Sequence, residues 1–66
     1  MNDSQDTNQD PASLYQLGER YNKGEGVSQD HQEAFKLFKV SAEQGYSKAQ
    51  SSLGIMYAEG TGVEKN

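Results

Sequence analysis

A chain of 66 residues makes one small domain, and a domain of this size buries only about 60% of the surface its unfolded form exposes, so its own core leaves it marginally stable. Disulfides or a metal often make up the difference, but there is no cysteine, and the single histidine, His31, has only carboxylates near it in sequence, too few partners for a structural metal site. The net charge of -4 owes three charges to Asp3, Asp6 and Asp10; from Ser13 onward seven acidic residues stand against six basic ones, so no basic patch is present to neutralise a phosphate backbone and the balance argues against nucleic-acid binding.

No apolar run reaches the length of a membrane span, and the opening MNDSQDTNQD is polar and acidic where a signal peptide is basic and then apolar. The absence of cysteine fits a reducing compartment. The expected location is the cytoplasm, with the periplasm or exterior as the alternative if a leader has been removed.

Residues 1–11 read as a disordered acidic tail, since Met1 is the only large apolar residue before Pro11. Asp10 is placed to cap a helix and Pro11 suits its first turn. Over residues 12–23, Leu14, Leu17 and Tyr21 recur at helical spacing with Gly18 on the same face, and Gly24 follows as a helix terminator. The loop GEGVSQ comes next, and Asp30 followed three residues later by Glu33 predicts a capping box for a second helix. In HQEAFKLFKVSAEQ, Ala34, Phe35, Leu37, Phe38, Ser41 and Ala42 share one broad arc, while Gln32, Lys36, Lys39 and Glu43 lie opposite. Gly45 is expected to end this helix as Gly24 ends the first. A third helix follows in YSKAQSSLGIMYAE, with Ala49, Leu53, Met56 and Tyr57 on one face and Gly60 as its stop.

The segment YNKGEGV, starting at Tyr21, returns thirty-six residues later as YAEGTGV, starting at Tyr57. Across the two copies Leu17, Gly18, Tyr21, Gly24, Gly26 and Val27 match Leu53, Gly54, Tyr57, Gly60, Gly62 and Val63. A dinucleotide or phosphate loop would need a preceding strand, a third glycine or a Gly-Lys-Ser/Thr step. A helix precedes instead, so the Gly-x-Gly pairs read as corners of helical hairpins, and a period of this length points to a solenoid. Gly18 and Gly54 lie inside helices, where glycine costs about 1 kcal/mol relative to alanine; close approach of a neighbouring helix at both positions is the expected compensation.

The order LGERYNKGEGV, DHQEAFKLF, SAEQG and AQSSLGIMYAEGTGV resembles the Sel-one-like repeat, a relative of the tetratricopeptide repeat, over nearly all of the chain after Pro11. Leu37 stands where that family usually has tryptophan, and Ser13 and Ser41 where it usually has alanine, so the two hydroxyls need partners. The resemblance implies an all-α fold, a right-handed α/α superhelix of about one and a half helix-turn-helix repeats, with a first repeat over residues 12–48 and an incomplete second one over 49–66. It also implies a protein-binding adaptor or scaffold without shared catalytic residues or a cofactor, found in bacteria in signalling, envelope or secretion contexts.

No catalytic, cofactor-binding or metal-binding set emerges from the residues themselves. His31 reads as a solvated surface histidine, and Glu19, Glu25, Glu33 and Glu43 as solvating charges on polar faces or in a loop. Tyr15, Tyr46, Phe35 and Ile55 fall at the margin of the apolar stripes; packing is the better reading for Phe35, while Tyr15 and Tyr46 are candidate partner-binding anchors. Leu53, Met56 and Tyr57 join them as candidates, expected to face a helix that the sequence does not contain. The expected partner is another protein, or a second copy through dimerisation or helix swapping. The alternative function is a small inhibitor or immunity protein, for which the acidic charge would suit a basic target enzyme.

Overall fold

The computed structural model describes residues 10–62, which fold into three α-helices: α1 (Pro11–Lys23), α2 (His31–Glu43) and α3 (Ser47–Glu59). Of the tail expected to be disordered over residues 1–11, Asp10 and Pro11 instead open the first helix, while residues 1–9 lie outside the described residues, as does the repeat position Val63.

Each helix boundary has a local cause. Asp10 is extended (φ -67°, ψ 131°), and its carboxylate accepts the Ser13 N–H at 3.2 Å, leaving Pro11 at a position where no intrahelical N–H is needed. Helix α1 stops at Gly24, whose φ of +75° is strained for any residue with a side chain and whose N–H reaches the Arg20 carbonyl at 2.7 Å. Asp30 starts α2 by accepting the N–H groups of Gln32 and Glu33, each at 3.1 Å.

Only this half of the capping box forms. The Asp30 N–H donates at 2.8 Å to the Tyr21 carbonyl in the last turn of α1, not to the Glu33 carboxylate. The hairpin brings a backbone acceptor to that donor, so the bond ties the start of α2 to the end of α1.

Helix α2 ends at Glu43, and Gln44 (φ -91°, ψ 9°) intervenes before Gly45, so its exit differs from the direct glycine stop of α1. Tyr46 leads into α3 without a side-chain cap; its carbonyl accepts from Ala49 and Gln50, and Gln50 Nε2 donates back to the Ala42 carbonyl at 3.2 Å. Gly60 closes α3 in the left-handed conformation that Gly24 uses.

Helix α2 lies in the middle and packs on α1 and on α3. Ala34, Phe38 and Met56 form the buried core, with Tyr15, Tyr21, Phe35 and Leu53 packed around it. Phe38 is its largest member, and full burial of such a side chain contributes about 1.5–3 kcal/mol. Its ring lies against Gly18, where a Cβ would stand 2.7 Å from Phe38 Cε1. Glycine inside α1 is therefore offset by close packing, as its cost requires.

Ser41 is fully buried, and its hydroxyl donates to the Pro11 carbonyl at 2.7 Å, tying the end of α2 to the start of α1. Ser13 has a weaker partner in Asp10, at 3.5 Å. Ala49 is buried on α3, whereas Leu37 and Ala42 are half-buried on α2. Gln32, Lys36, Lys39 and Glu43 point to solvent, as their arc predicts.

Four positions depart from the sequence expectations. Leu17 is 39% exposed, on the side of α1 away from the core. Met56 turns inward against Ala34 and Phe38 and is not presented to a further helix, and Leu53 packs at the core margin. Gly54 lies on an exposed side of α3, and among the described residues nothing comes within 4 Å of a Cβ built there. The two helices use opposite sides: α1 meets α2 through its Gly18 side, while α3 meets the same helix through its Ala49 and Met56 side, which lies on the far side of the helix from Gly54. The result is an all-α solenoid in which α1 and α2 form a helical hairpin and α3 begins the next.

Candidate interaction groove between α1 and α3

Because α1 and α3 flank α2, their sides form the walls of an open groove of about 410 Å³, with α2 at the floor. Helical spacing decides which side chains line it. Glu19 and Asn22 project from α1; Ser52, Ile55, Met56 and Glu59 project from α3 at i, i+3, i+4 and i+7. Phe38 and His31 of α2 and Thr61 of the following loop complete it.

The α1 wall is an ordered polar ladder. Tyr15, Glu19 and Lys23 follow one another at i, i+4 and i+8; the Tyr15 hydroxyl donates to Glu19 Oε2 at 2.8 Å, and Lys23 Nζ lies 3.2 Å from Glu19 Oε1. The Tyr15 hydrogen bond, with Lys23 as the second favourable partner, holds the Glu19 carboxyl below its ordinary range against an opposing effect of burial. The same bond to Glu19, followed by burial, pushes the Tyr15 phenol up, and Glu19 also raises Lys23. At neutral pH the wall therefore presents a carboxylate already oriented by a phenol and an ammonium. Glu19 is a positioned groove residue, not the freely solvating charge its sequence position suggests.

His31 is half-buried, and its Nδ1 lies 2.8 Å from Asn22 Oδ1. With the amide oxygen as acceptor, the Nδ1–H is the donor of this bond. This arrangement replaces the solvated histidine expected from sequence: the end of α1 orients the ring as one wall of the groove. Among the described residues no three His, Asp or Glu side chains converge in a way that could hold a metal ion. The groove offers hydrogen-bond acceptors and donors beside the exposed Ile55, with Phe38 and Met56 enclosed beneath them, an arrangement suited to holding a chain segment.

The proposed anchors distribute differently. Tyr15 and Tyr46 are half-buried and lie against each other, ring centroids 5.4 Å apart at 53°, while Tyr15 also meets Phe38 at 5.5 Å. They brace the joint between α1 and the start of α3. Phe35 and Tyr57 meet edge to face at 5.4 Å, yet Tyr57 remains 62% exposed, as does Ile55 at 57%. The geometry thus brings Met56 and Ile55 to the groove, leaves Tyr57 on the outer side of α3, and uses Leu53 for packing.

The sequence reading missed Asn22, Ser52, Glu59 and Thr61, and it took Glu19 and His31 for surface groups. Only the i, i+4, i+8 ladder of Tyr15, Glu19 and Lys23 was a signal open to inspection. A second, smaller groove of about 270 Å³ lies on the outer side of α1, along Ser13, Leu14, Gln16, Leu17 and Arg20.

The Sel1 repeat family model matches residues 11–46 and, a second time, residues 47–66. An uncharacterized protein of Neisseria meningitidis serogroup B is 40% identical over 50 residues, which cover 76% of this chain and 11% of that protein. The crystal structure of a Sel1 repeat protein from Oxalobacter formigenes matches with a TM-score of 0.87 at 43% identity, over 92% of this chain and 25% of that one. The chain therefore spans a quarter or less of the length of these relatives.

Proposed function

Because the chain belongs to the Sel1 repeat family, whose members generally mediate protein–protein interactions and are typically non-catalytic, we propose that it is an adaptor module holding a segment of a partner protein in the groove between α1 and α3. The observation that carries this reading is the groove itself. Its α1 wall holds a pre-oriented carboxylate, its α3 wall offers Ser52, Glu59 and the exposed Ile55, and its base is closed by the buried Phe38 and Met56. A peptide segment can use this combination: polar atoms for its backbone and the exposed Ile55 for an apolar side chain. No helix of the described residues is long and apolar enough to cross a membrane.

The test is selection of random peptides on the full chain, followed by amide-shift mapping of the best binders. Saturable shifts centred on Glu19, Ser52 and Ile55, lost when Ser52→Trp fills the groove, are the expected result. Binders that map outside the groove, or that bind the Ser52→Trp chain as well as the parent, would refute the assignment.

A further inference from the structure

The groove between α1 and α3 carries Glu19 on one wall and Glu59 on the other, and among the described residues no lysine or arginine lines it. The ammonium groups nearby are Lys23, which pairs with Glu19 at 3.2 Å from an exposed i, i+4 position, and Lys48, whose charge also acts on Glu19. A solvent-exposed pair of this kind contributes little, so an incoming cation can share or replace it.

Both carboxylates keep room to accept. A carboxylate offers about four lone-pair sites; Glu19 gives one oxygen to the Tyr15 hydroxyl and the other to Lys23, which leaves about two. Glu59 meets the Thr61 hydroxyl at 3.5 Å, beyond the range of about 2.5–3.0 Å for a good O–H···O bond. The Asn22 amide oxygen, by contrast, is engaged by His31 Nδ1–H. One turn before Glu59 on α3, Ile55 is 57% exposed, so apolar surface adjoins the second carboxylate.

We propose that the segment held in this groove is basic, with an arginine whose guanidinium lies between Glu19 and Glu59 and whose aliphatic stem lies along Ile55. Arginine has both parts the lining calls for: five N–H donors, enough to serve two walls at once, and a hydrocarbon stem that covers apolar surface while its head stays polar. Lysine supplies the same charge with fewer donors. An acidic segment meets like charge on both walls, so charge complementarity fixes the sign of the occupant. This inference rests on the adaptor reading and adds the chemistry of the partner to it.

The probe is the random peptide pool selected on the full chain. Peptides whose amide shifts map to the groove should be enriched in arginine, and in lysine less so, over the unselected pool. The best of them, resynthesised with its arginine changed to glutamine, should bind at least about fivefold more weakly in fluorescence anisotropy. Glu19→Gln and Glu59→Gln should each narrow that ratio. Glu43→Gln removes the same charge from the solvent side of α2 and should leave it unchanged, and circular dichroism checks that each variant keeps its helicity. Groove binders without basic enrichment, or with equal affinity for both forms of the peptide, overturn this inference and leave the adaptor reading standing. A preference that Glu43→Gln narrows as much as Glu59→Gln is attraction to the net charge of -4 and overturns it too. Absence of any groove-mapped binder removes the adaptor reading and this inference with it.

Discussion

Replacing Gly18 and Gly54 separately by alanine places the same methyl group at the same register of two helices, so the gain in helix propensity, about 1 kcal/mol, is common to both. The surroundings are not. At Gly54 the methyl group enters open space among the described residues, and the expected outcome is a stabilised chain, by about 1 kcal/mol. At Gly18 it lies 2.7 Å from a ring that is 1% exposed and has little room to withdraw, and overpacking of this kind costs about 1–3 kcal/mol. Gly18→Ala should therefore fall between neutral and about 2 kcal/mol less stable. The difference between the two variants, about 1–3 kcal/mol, isolates the packing of Phe38 on α1, because the propensity contributions cancel. Thermal melting followed by circular dichroism measures it, since 1 kcal/mol moves Tm by about 4–8 °C in a domain of this size. Equal upward shifts in both variants would refute the argument, for they would mean that the ring yields without cost.

Asp30→Ala removes the carboxylate that caps two N–H groups of α2 and should lower stability by about 1 kcal/mol, with Asp30→Asn retaining most of it, in urea titrations. Ser41→Ala removes a buried hydroxyl bonded to the Pro11 carbonyl; the expected loss is about 1 kcal/mol in the same titration, and an unchanged midpoint would show that this tie between α2 and α1 is dispensable. Glu19 has a folded pKa below its ordinary 4.5, so its contribution is fully present above that value and is lost as pH falls through the lower folded value. Glu19→Gln should therefore flatten the acid limb of the stability profile below about pH 4.5 while changing neutral stability by only about 0.3–0.5 kcal/mol; a parent-like acid limb would count against the Tyr15–Glu19–Lys23 ladder.

Helix positions, caps and the repeat were set by short-range chemistry and were legible from the sequence. Asp10 with Pro11, the terminating Gly24 and Gly60, and the opposed arcs of α2 act within one or two turns, and the thirty-six-residue echo carries the architecture. Which side of each helix meets a neighbour is a different matter, because identical motifs in α1 and α3 face different surroundings. Gly18 and Gly54 are indistinguishable in pattern, yet one lies under Phe38 and the other lies open; Met56 turns into the core although its apolar stripe also contains the exposed Tyr57. The groove was legible least of all. Glu19, Asn22, His31, Ser52 and Glu59 come from three helices and are ordinary polar residues in sequence; only the packing of α1 and α3 about α2 brings them to face one another. Local backbone and side-chain preferences determine that helices form and where they stop, whereas contacts between residues far apart in sequence decide which of their surfaces are left to meet another molecule.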